Sequence, residues 1–151
     1  MVWWYSLLKT LHILSAIIAV GANLTYGVWA ARAARDPEHL SFALKGIKLI
    51  DDRIANPAYG VLLVTGLVMW LTTWPLGTRW ILSGLFLYVV VAALAAVLIS
   101  PALNKQIKLV DTGQAGSPES LAAAARLRGV GIFVSVVVIA IVFLMVFKPT
   151  F

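Results

Sequence analysis

The sequence predicts an all-α polytopic membrane protein: a bundle of four transmembrane helices, with an amphipathic cytoplasmic helix between the first and second spans. Three observations predict it. Hydrophobic residues fill 62% of the 151 positions and charged residues only 12%, roughly half the charged share of a soluble domain. Four apolar segments, Trp3 to about Ala31, Ala55 to Trp74, Trp80 to Ile99 and Val130 to Phe147, each lie near or above the length that crosses a hydrocarbon core. Most of the basic residues fall between the first and second segments and between the third and fourth, as alternating loop charge requires.

The first segment opens MVWWYSLLKTLHILSAIIAVGANL and stays apolar through Val28, Trp29 and Ala30. It has no basic start and is too long for the apolar region of a cleaved signal, so it reads as a retained first span. Asp36, Pro37 and Glu38 then form a helix start, with a capping residue, a proline at the first helical position and an acid in the first turn. Leu40, Ala43, Leu44, Ile47 and Ile50 recur at helical spacing against Lys45, Lys48, Asp51 and Asp52, which gives the amphipathic helix.

Pro75 to Arg79 is so short a connection that the second and third spans must be antiparallel neighbours. The third helix is expected to overrun the membrane, because the polar run Asn104 to Lys108 is still helix-compatible. Asp111 to Pro118 reads as a flexible loop, and Ser117, Pro118 and Glu119 restart a helix by capping. The chain has room for one membrane domain over residues 1–151 and no separate soluble one.

Arg32, Arg35, Lys45, Lys48 and Arg53 in the first loop, with Lys105, Lys108, Arg126 and Arg128 in the third, outweigh Lys9, Arg79 and Lys148 at the other end. The positive-inside rule then places loops 1 and 3 in the cytoplasm and both termini outside, in the cell's inner (plasma) membrane. Trp3, Trp4, Trp74 and Trp80 form the outer aromatic belt. The net charge of +6 follows from this topology and implies lipid headgroups rather than nucleic acid. With no cysteine, thiolate metal sites, iron–sulfur clusters and thiol-attached haem are excluded.

His12 is the leading functional residue, because a titratable group about ten residues into a span is costly without a role or a partner. Turning roughly 100° per residue, Tyr5, Lys9, His12, Ala16, Ala19, Asn23 and Tyr26 gather on one stripe. Three readings stand for His12: a haem iron ligand, with Ala16 and Ala19 leaving room for a macrocycle; a member of a proton relay with Tyr5, Lys9 or Asn23; or an interhelical hydrogen bond. Lys9 is expected to snorkel to the outer interface or to hold a ligand carboxylate. The second span carries a facing stripe of Asp52, Asn56, Tyr59, Gly66, Trp70 and Thr73. Asp51, Asp52 and Arg53 read as a solvated interface cluster, free to pair among themselves or with Arg126 and Arg128, and His39 is expected to be solvated beside Asp36 and Glu38.

The segments SLLKTLHILSAIIAVGA, DDRIANPAYGVLLVTGLVMWL, RWILSGLFLYVV and VFKPTF resemble, in order and spacing, the HemJ-type protoporphyrinogen oxidases and, more distantly, the copper-resistance D membrane proteins. Closer still, the chain is similar to a bacterial family of predicted integral membrane proteins of unknown function. The HemJ resemblance implies haem b on the first-helix histidine, here His12. The chain departs from that family at the early third-helix lysine, which falls at or near Gly84, with no lysine between Lys48 and Lys105. That departure speaks against protoporphyrinogen oxidation.

The expectation is thus an integral membrane protein whose specific activity the sequence leaves open, resembling HemJ-type four-helix proteins, with His12 as a candidate haem b ligand and Lys9, Ala16, Asn23 and Tyr59 as a candidate pocket around it, for electron or proton transfer. The first alternative is a non-enzymatic scaffold, as a homo-oligomer or an accessory subunit of a larger membrane complex. The second is a small transporter or ion pathway, against which stands the absence of any acid within the four apolar segments.

Overall fold

The computed structural model describes residues 3–150, so Met1, Val2 and Phe151 lie outside it. Six α-helices follow in order: α1 Trp3–Ala33, α2 Leu40–Ile50, α3 Asn56–Thr73, α4 Arg79–Leu94, α5 Ser100–Asp111 and α6 Pro118–Phe147. No strand occurs among the described residues. Two of the joints are not breaks. Asp51–Ala55 and Ala95–Ile99 are single π-helical turns that carry α2 into α3 and α4 into α5.

Four continuous helices result, Trp3–Ala33, Pro37–Thr73, Arg79–Asp111 and Pro118–Phe147, each long and apolar enough to cross a membrane. At 1.5 Å per residue, the 37 residues of Pro37–Thr73 measure about 55 Å, well beyond the ~30 Å hydrocarbon core. The bundle therefore continues past the lipid at one end. There α2, α5 and the start of α6 build a core of their own from Leu44, Ile47 and Leu103, flanked by Leu40, Ile107, Val110 and Leu127. A second cluster of Val91, Val134 and Val138, with Val20 and Leu94 against it, ties α4 to α6 and to α1 deeper in the bundle. The outward faces carry side chains such as Ile17, Val64, Phe86 and Ile132, which suit acyl chains.

The helix ends show how the sequence stops and restarts each element. Thr78 N–H and Oγ1 both donate to the Pro75 carbonyl, at 3.0 and 2.6 Å, and close the hairpin between α3 and α4. The expected loop after Asp111 is tied at both ends. Gly113, at φ +75°, sends its N–H to the Val110 carbonyl while Gln114 N–H reaches Leu109, the paired bonds of a Schellman cap. Ser117 Oγ then accepts from Ser120 N–H at 3.2 Å and caps α6 as expected.

Asp36 differs from its expected role. It makes no side-chain cap, and Pro37–His39 forms a 3-10 turn before α2 begins. Its carboxylate instead holds His39 Nδ1 at 2.9 Å, and this hydrogen bond keeps the Asp36 carboxyl below the usual carboxylate range. The local bond to a side chain three residues on has displaced the bond to backbone.

Candidate functional site

The contact between α1 and α3 places His12. Its Nδ1 lies 3.0 Å from the Leu62 carbonyl oxygen and 3.0 Å from Thr65 Oγ1. A carbonyl only accepts. The Thr65 hydroxyl spends its proton on the Val61 carbonyl at 2.7 Å, so its oxygen can only accept from the ring. Nδ1 is therefore the protonated nitrogen, shared between two acceptors, and in the neutral imidazole the lone pair sits on Nε2. Nε2 makes no hydrogen bond to a described residue, and no buried side-chain nitrogen or oxygen among the described residues lacks a partner. Nε2 is thus reachable rather than sealed.

Gly66 completes the seat. A β-carbon on it would lie 2.9 Å from His12 Cε1 and 3.4 Å from Nδ1, closer than ring and methyl tolerate, so the imidazole rests on bare backbone. On α1 itself Ser15 and Ala19 are buried and Ala16 is half-buried, which lets the two helices approach.

A second polar group lies further along the same interface. Asn23 Nδ2 donates to the Tyr59 hydroxyl, Tyr88 Oη donates to the Tyr59 carbonyl at 3.0 Å, and the Tyr59 and Tyr88 rings meet edge to face at 6.3 Å. Tyr26 Oη and Asn56 Nδ2 both donate to Asp51, each at 3.3 Å. Asp52 takes Lys48 Nζ at 2.9 Å. Neither Asp51 nor Asp52 pairs with Arg53, Arg126 or Arg128, and Asp52 and Arg53 are exposed.

Of the stripe drawn from sequence, His12, Ala16, Ala19, Asn23 and Tyr26 turn inward, whereas Lys9 is exposed. Tyr59 meets Asn23 and not His12. Thr65 is the residue the sequence reading missed. Its signal is that it is the single hydroxyl residue between Tyr59 and Thr72, and it is buried. Gly84, where the HemJ-type lysine would fall, is buried against α6, and the space a side chain would need there is held by the terminal methyl of Met145.

His39, the other histidine, is exposed at the far end of the molecule beside Asp36. No group of three or more histidine, aspartate or glutamate side chains placed to hold a metal occurs among the described residues. The chemistry open to the interior is that of one imidazole nitrogen with its partner nitrogen tied down.

No curated protein and no solved structure matches the chain, so the likeness to HemJ-type oxidases and copper-resistance D proteins is not shown by these comparisons. A family model described as predicted integral membrane protein (DUF2269) matches residues 6–149. With four spanning helices and a match over nearly its whole length, the chain belongs to the DUF2269 family of integral membrane proteins.

Proposed function

We propose that the protein is a four-helix membrane protein in which His12 Nε2 would hold haem b, with electron or proton transfer as its work. One observation carries the reading: Nδ1–H is held by the Leu62 carbonyl and Thr65. Ligating histidines characteristically donate their other ring N–H to a carbonyl or similar acceptor, which fixes the tautomer and aims the free nitrogen. The imidazole fits a ligand in this sense, with Nδ1–H held and Nε2 bare. Haem, when bound, would supply one-electron chemistry; the protein's part is to fix the ring and its tautomer. The Tyr26–Asp51 and Asn23–Tyr59 bonds lie further along the same interface, toward the end rich in arginine and lysine.

We place the protein in the inner membrane with loops 1 and 3 in the cytoplasm. The support is the basic residues on α2, α5 and the start of α6, set against Trp74, Trp80 and Lys148 at the opposite end.

The test is an absorption spectrum of detergent-purified protein, oxidised and dithionite-reduced, from cells supplied with haem precursor. A Soret band lost in His12→Ala is the expected result. A second reading, a scaffold or accessory subunit in which His12 only joins helices, draws on the fit between His12 and Gly66. It predicts a colourless protein that His12→Ala destabilises.

A further inference from the structure

The end of α1 carries a feature that the haem reading leaves unused. Val28, Ala31, Arg32, Arg35 and Asp36 line an open groove of about 590 Å³ where α1 gives way to the turn before α2. Arg35 N–H bonds the Arg32 carbonyl at 3.1 Å and Asp36 N–H bonds Ala33 at 3.0 Å, so the chain reverses there and both arginines stay on its rim. Both are exposed, and neither forms an ion pair with a described carboxylate. The one acid in the groove, Asp36, is turned to His39 Nδ1 at 2.9 Å.

Position along α1 sets the occupant. Val28 and Ala31 precede Arg32 by four residues and by one, so the apolar wall lies on the side toward the span and the two guanidinium groups on the side toward the polar end, where the 31 residues of α1 have carried it past a ~30 Å hydrocarbon core.

We infer that this groove is a binding site for one anionic glycerophospholipid, its phosphate held by Arg32 and Arg35 and its upper acyl chain laid along Val28 and Ala31. Guanidinium forks suit phosphate oxygens in pairs, and basic concavities at this level of a membrane protein take anionic headgroups. The apolar wall is what a free phosphate would not use.

Native mass spectrometry of the purified full chain, titrated with phosphatidylglycerol or phosphatidylcholine, tests it. Phosphatidylglycerol should bind in preference, and Arg32→Gln with Arg35→Gln should weaken it about tenfold or more. Arg126→Gln with Arg128→Gln, at the same end but outside the groove, should leave it within about twofold. Because the glutamine pair alters loop charge, Arg32→Lys with Arg35→Lys serves as the folded control, keeping the charge and losing the forks, with an expected drop of severalfold. Equal losses from both arginine pairs, or no preference over phosphatidylcholine, would overturn the site. So would competition by inorganic phosphate at concentrations comparable to the lipid, which would mean that phosphate alone is read.

Discussion

His12 and Gly66 fit each other only because Gly66 has no side chain, since a β-carbon there would stand 2.9 Å from His12 Cε1. The ring cannot easily give way, because two acceptors hold its Nδ1 from the same stretch of α3. Gly66→Ala is therefore expected to force the helices apart or break the hydrogen bonds, at a cost of about 1–3 kcal/mol. Reversible unfolding in mixed micelles measures it, and a variant as stable as the parent would mean that the ring has room to move. The contrast is Gly84→Ala, which meets only the flexible end of Met145 and is expected to be tolerated.

The tautomer of His12 is open to direct measurement. Nitrogen NMR of ring-labelled histidine in micelles should show His12 with a protonated Nδ1 and a bare Nε2, and Thr65→Val should keep that tautomer because the Leu62 carbonyl remains. The stability loss in Thr65→Val is expected near about 0.6 kcal/mol, the average for an interhelical hydrogen bond in lipid. A proton found on Nε2 would remove the basis for the ligand role.

The four spans were legible because lipid imposes one rule along their length: apolar residues over about twenty positions, with backbone bonds satisfied internally. The inward stripe of α1 was legible for a related reason, since His12, Asn23 and Tyr26 can be sheltered only against another helix. Lys9 falls on the same wheel and is exposed, because a long cationic side chain near a helix end gains more from water than from packing. The two π turns had no signal in residue type. Each adds a residue to one turn, at Asp51–Ala55 and Ala95–Ile99, and the first offsets Asp52 and Asn56, which end exposed, from the face of α3 on which Leu62, Thr65 and Gly66 meet His12. The extramembrane core was half legible. Leu44 and Ile47 declared an amphipathic helix, but Leu103 and Ile107 sit in a polar run whose partner no local pattern reveals.

Asp111 joins the ends of α2 and α5 outside the lipid, accepting from Ser41 Oγ at 2.6 Å and pairing with Lys45 Nζ at 2.9 Å. The Ser41 bond, and then Lys45, hold its carboxyl below the ordinary value. A depressed carboxylate lends stability above its ordinary pKa of about 4, and that contribution fades as pH falls through the lowered folded value. Protection of the α2 and α5 amides, taken relative to their intrinsic exchange rates, should therefore fall below about pH 4, and Asp111→Asn should be less protected already at neutral pH and lose that part of the acid response. Acid sensitivity unchanged in Asp111→Asn would assign it to Asp36 or to the other carboxylates.

At the opposite end, Lys148 closes the bundle. Its ammonium stands 5.1 Å from the Trp74 ring and 5.7 Å from the Trp80 ring, and the two indoles meet edge to face at 5.3 Å. The residue sits in the left-handed region at φ 46°, where a glycine would be easier, so the cation's attraction to both rings helps to hold it there. Lys148→Met keeps the stem and the backbone but removes the charge, and is expected to cost about 0.5–1 kcal/mol and to shift tryptophan emission. The same substitution in a Trp74→Leu, Trp80→Leu background should have almost no effect on stability, because the coupling lies between the charge and the two rings and not in the stem. An undiminished loss in that background would show instead that Lys148 acts through its aliphatic packing, and the end of α6 would then be anchored by hydrophobic contact alone.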